Sequence, residues 1–117
     1  MKIMLLLTMK GGIPVGADLR AEIGEKMGKW MADIEEKGIL ESTYALHPAN
    51  EASLFKQSGE KFVPWTPSAE EDVVVASIVV NVESTEEANF IVEMCPHLLC
   101  GDIEMRQVHG SDAEHDN

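Results

Sequence analysis

Two stretches of this chain are apolar at almost every successive position: residues 3–9 and residues 73–82. A β-strand points alternate side chains to opposite faces, so a strand apolar on both sides belongs in the middle of a sheet that is covered above and below. Two other segments alternate instead. In residues 40–47, Leu40, Ser42, Tyr44 and Leu46 share one side and Glu41, Thr43, Ala45 and His47 the other. In residues 102–108, Ile103 and Met105 alternate with Glu104 and Arg106. These are half-exposed strands, suited to the edges of a sheet.

The period changes between the strands. Leu19, Ile23, Met27, Trp30 and Ile34 fall on one helical stripe, with Asp18 as the expected N-cap and Lys37-Gly38 as the stop. A second helix starts at a capping box, Ser84 with Glu87, presents Ala88, Ile91, Val92 and Cys95, and stops before Pro96. Residues 53–56 and 61–63 flank Ser58-Gly59 and predict a short hairpin. Residues 10–16 and 64–72 have loop composition.

The predicted order is strand, helix, strand, hairpin, strand, helix, strand. This is an α+β, ferredoxin-like split βαβ arrangement with an inserted β-hairpin, in which the first and third principal strands are central. Right-handed crossovers put both helices on one face. The other face keeps an apolar surface that a second copy of the chain would cover, so a homodimer that forms a dimeric α/β-barrel is expected.

Composition narrows the function. The 117 residues suit one domain, expected over 1–109, with 110–117 as an acidic, disordered tail. With 21 acidic residues against 9 Lys and Arg the net charge is -12, which disfavours a nucleic acid and an anionic membrane surface as partners. No apolar run approaches the roughly 18 residues of a spanning helix, and Met4 to Leu7 is shorter than a signal-peptide core of about 7 to 15 residues. Two cysteines are too few for a disulfide framework, and a cytoplasmic location is expected.

Several segments resemble the YCII-related proteins, in particular the DGPF-domain branch. They are Lys2-Ile3-Met4-Leu5-Leu6-Leu7, Gly38-Ile39-Leu40 after a helix containing Trp30, Leu46-His47-Pro48, and the ending Cys95-Pro96 followed by Gly101-Asp102-Ile103-Glu104-Met105-Arg106-Gln107-Val108. The resemblance implies a dimeric α/β-barrel and, in one branch, dehydrochlorination of a chlorinated hydroxymuconate. The namesake Asp-Gly-Pro-Phe is replaced by Trp65-Thr66-Pro67-Ser68, so only the proline remains. The His and Asp pair that the resemblance implies near the first strand and helix is incomplete, because Asp18 is present but no histidine precedes His47.

The candidate site residues are accordingly few. His47 is a candidate general base at a strand end, with an exposed histidine as the plain alternative, and Asp18 is the other catalytic candidate. Tyr44, His47 and Trp65 are the candidates for lining a ligand site, Trp65 because flanking prolines hold it rigidly. Cys95, His97 and Cys100 have the look of a metal half-set. Zinc favours four ligands and a Cys-x2-Cys spacing, so no metal is expected and Cys95 is read as a buried helix-end residue. Gly11-Gly12 follows a strand without the remainder of a phosphate loop, and no cofactor is expected. Three functions stay open: a small-molecule-binding barrel, a lyase or isomerase acting on a small carbonyl or hydroxy compound by acid–base chemistry, and a structural or regulatory partner protein.

Overall fold

The computed structural model describes residues 1–11 and 15–109; the 110–117 tail and part of the first loop lie outside the described residues. Strand β1 (Lys2–Lys10) leads to helix α1 (Ala17–Glu36), strand β2 (Leu40–Ala45), a short 3-10 turn (Ala49–Glu51) and the hairpin strands β3 (Leu54–Phe55) and β4 (Lys61–Phe62). Strand β5 (Asp72–Asn81), helix α2 (Thr85–Glu93), a 3-10 helix (Pro96–Leu99) and strand β6 (Asp102–Gln107) complete it. The main sheet has the order β2-β5-β1-β6 with every neighbouring pair antiparallel, and β3 and β4 pair apart from it. The two doubly apolar runs thus occupy the centre and the alternating strands the edges, the ferredoxin-like arrangement.

Register sorts the side chains. Ile3, Leu5 and Leu7 on β1 stand opposite Val80, Ile78 and Ala76 on β5, and these residues pack under Trp30 and Ile34 of α1 and Ala88 and Ile91 of α2. Leu5, Ile78 and Val80 are completely enclosed. Trp30 joins the two helices: its indole N–H donates to the Ile91 carbonyl at 3.1 Å, which lets a polar ring edge stay buried. The Cα extents of 44 × 40 × 19 Å describe a slab of one sheet and one helix layer. On the sheet's other face Met4 pairs with Val79, Leu6 with Ser77 and Thr8 with Val74, and the same face carries Ser42 and Tyr44 of β2. Neither helix covers it.

Three local expectations need correction. A bulge between Leu40 and Ser42 breaks the simple alternation of β2: Leu40 packs with the core, whereas Ser42 and Tyr44 turn to the open face. Asp18 lies inside the first turn of α1 and Gly16 takes the N-cap without a side-chain bond, because the helix begins one residue before it. Leu19 is exposed, so the buried stripe of α1 starts at Ile23. Gly38, with φ of 74°, adopts the left-handed turn that ends α1.

The capping box at α2 is present, with Ser84 Oγ accepting from the Glu87 N–H at 3.1 Å. The Glu87 carboxylate accepts in turn from the Glu83 N–H at 3.3 Å. Ser84→Ala is expected to cost about 1 kcal/mol, seen as a lower urea midpoint with an unchanged slope. No helix among the described residues is long and apolar enough to cross a membrane.

Candidate functional site

Antiparallel pairing gathers the end of β2, the start of β5, the end of β1 and the start of β6 at one end of the sheet. Ala45 stands by Ala76, and Thr8 stands between Val74 and Asp102. Two clefts open there. The outer one, about 440 Å³, lies between the segment after β2 and the start of β5, and is lined by Leu46, His47, Glu51, Trp65, Asp72 and Val74 among others. Its walls are mainly apolar, with a half-buried indole and a few polar groups at the rim. His47 Nδ1 lies 3.3 Å from Glu51 Oε1, and the His47 side chain is 86% exposed. It is therefore a solvated rim group, able to hydrogen-bond a ligand edge but not desolvated.

The inner cleft, about 490 Å³, is lined by Thr8, Lys10, Asp72, Cys100, Gly101 and Asp102 among others. Lys10 Nζ contacts Asp72 Oδ1 at 2.7 Å and donates to the Glu70 carbonyl at 3.4 Å. The hydrogen bond that it donates to Asp72, helped by the charges of Asp72, Asp102 and Glu70, pushes the Lys10 ammonium above its ordinary pKa. Asp72 belongs to both clefts.

Beside the inner cleft lies a histidine that the sequence reading placed only in a metal half-set. His97 is 5% exposed. Its Nε2 is 2.9 Å from the Thr8 carbonyl, and its Nδ1 is 3.8 Å from Cys100 Sγ. A carbonyl only accepts, so Nε2 carries the proton and donates. The signal was the spacing: in a 3-10 helix three residues make one turn, so His-x2-Cys from Pro96 onward stacks the ring beneath the thiol. Gly101 admits this approach, since a Cβ there would meet the Thr8 carbonyl and come within 2.7 Å of His97 Nε2.

The other candidates separate. His47 and Trp65 both line the outer cleft, whereas Tyr44 lies on the open sheet face, 64% exposed, and does not line it. Asp18 is exposed on α1 and lines neither cleft. Cys95 is buried, and its thiol contacts Met27 Sδ at 3.7 Å. Both cysteines are free, and no group of three or more His, Cys, Asp or Glu among the described residues has a metal-holding arrangement. A groove of about 510 Å³ between α1 and α2 is larger, but Lys26, Lys29 and Lys37 on its rim are each paired one turn back, with Glu22, Glu25 and Asp33. It holds no histidine or cysteine.

No protein-family model matches this chain, and no curated protein matches it either. Among solved structures it is similar to 5-chloro-2-hydroxyhydroquinone dehydrochlorinase from Burkholderia phenoliruptrix AC1100, in complex with 2,5-dihydroxybenzoquinone. The TM-score is 0.50 at 16% identity, over 94% of this chain and 96% of that one. At that identity the likeness is one of fold: a small α+β domain with an antiparallel sheet and two helices.

Proposed function

We propose that this chain is a small-molecule-binding protein that works as a homodimer, with the two open sheet faces packed together in a dimeric α/β-barrel. The observation that carries the binding reading is the outer cleft, where an apolar wall, the Trp65 ring, the His47 imidazole and the carboxylates of Glu51 and Asp72 converge. Such a site favours a small, neutral ring compound whose hydroxyl groups donate to the carboxylates while its face lies against the indole. That the structural neighbour has a hydroxylated quinone bound supports the same ligand class. The uncovered row Met4, Leu6 and Val79 supports the dimer.

The test is a thermal-shift and calorimetry panel of dihydroxylated aromatic and quinone compounds. At least one compound is expected to bind saturably, and Trp65→Ala is expected to weaken it about tenfold, the worth of one well-placed aromatic contact. If no compound in the panel binds, or if Trp65→Ala leaves the affinity untouched, the outer cleft is not the site.

A lyase or isomerase that uses acid–base chemistry is a second reading, favoured by one contact. Glu51 approaches Nδ1 of His47, the arrangement in which a carboxylate orients an imidazole base. Asp18 has no part in it.

A further inference from the structure

Cys100 and His97 form a pair that ligand binding in the outer cleft does not use. The thiol lies between two acceptors of the same residue, His97 Nδ1 at 3.8 Å and the His97 carbonyl at 3.5 Å. The ring cannot turn away, because it is buried and its Nε2–H is held by the Thr8 carbonyl on the central strand β1. Nucleophile, base and orienting group therefore stand in line, as in a nucleophilic triad whose third member is a backbone carbonyl. Cys100 is half-buried and borders both the inner cleft and a smaller one, about 270 Å³, lined by Met9, Val15, Arg20 and Ile23. The thiol can thus be reached by a small molecule, unlike that of Cys95. Burial pushes the Cys100 thiol up, so it rests protonated and needs a base in order to attack.

We propose that Cys100 and His97 make a second chemical site, at which the thiol adds to small, neutral α,β-unsaturated carbonyl compounds held in the inner cleft. The Sγ–C bond forms at the β-carbon of the compound while the thiol proton passes to His97 Nδ1. The π electrons of the C=C bond move to the carbonyl oxygen, which becomes an enolate, and the Lys10 ammonium lining the same cleft stabilises that charge. The proton on Nδ1 then goes to the α-carbon. The carbonyl re-forms, a thioether remains and His97 returns neutral, so no oxidant or second reactant is needed. Neutral compounds fit because Asp72 and Asp102 line the cleft beside Lys10 and disfavour anions. This inference shares only Asp72 with the ligand-binding proposal and does not require the outer cleft to be filled.

The experiment treats the full chain with but-3-en-2-one across a range of pH and follows adducts by intact mass and peptide mapping. One adduct is expected, on Cys100, with Cys95 unmodified and the adduct absent from Cys100→Ser. The rate is expected to level off before the thiol itself ionises, the mark of a base that takes the proton during attack. His97→Asn, which removes the imidazole base, should slow it about a hundredfold at neutral pH. A rate that climbs in step with hydroxide until the thiol titrates would overturn the pairing. So would equal modification of Cys95, no adduct at all, or a rate in His97→Asn within about threefold of wild type. If His97→Asn does not fold by circular dichroism, the wild-type pH profile decides alone.

Discussion

Leu6→Arg is expected to convert the proposed homodimer into folded single subunits in analytical ultracentrifugation at micromolar concentration. Leu6 sits mid-strand on central β1, on the face opposite the helices and across from Ser77. A two-fold axis places the change twice in one interface, so each copy forfeits about 2 kcal/mol of leucine burial and must also desolvate a guanidinium. Even the first contribution alone, about 4 kcal/mol for the pair, corresponds to roughly a thousandfold in the dissociation constant. Leu6→Ala should weaken association in the same direction by less. A wild-type chain that sediments as one subunit at that concentration would remove the dimer, and with it the barrel. Because Leu6 does not contribute to the helix-side core, the circular dichroism of the variant should stay close to that of the wild type.

Trp30→Ala is expected to lower stability by about 4 kcal/mol, read from urea unfolding at fixed protein concentration. The indole is nearly enclosed between α1, α2 and the sheet, so truncation empties the largest single volume that joins the layers. Trp30→Phe separates volume from hydrogen bonding. It keeps most of the ring and loses the donation to Ile91, whose carbonyl still accepts from the Met94 N–H at 3.2 Å, so it should cost only about 1 kcal/mol. Equal losses in the two variants would mean that the indole N–H, not the packing, seats the helices.

The architecture was legible because several signals agreed. Continuous apolar runs marked the central strands, alternation marked β6, the stripe from Ile23 to Ile34 marked α1, and Ser84 with Glu87 marked the start of α2. The errors fell where a single residue alters the period. One bulge in β2 sends Leu40 to the core and Tyr44 to the open face, and no propensity announces it. The site was less legible still. His47 and Trp65 line one cleft because a strand end and a proline-bounded loop return to the same end of the sheet. His97 was harder to see, since its significance comes from the Thr8 carbonyl, 89 positions away in sequence, and only tertiary structure brings the two together. The Cys-Pro-His-Leu-Leu-Cys-Gly segment looked like an incomplete metal set because the 3-10 geometry that stacks His97 under Cys100 follows from Pro96 and not from the cysteines.

Asp72 ties the two clefts into one electrostatic unit. Its carboxylate is the nearest counter-charge to Lys10 and also a wall of the cleft that holds Trp65. In the ligand-binding proposal, a guest whose hydroxyl groups donate to that carboxylate would compete with the ammonium next door for it. Ligand binding and thiol addition, as proposed, would therefore draw on one and the same carboxylate.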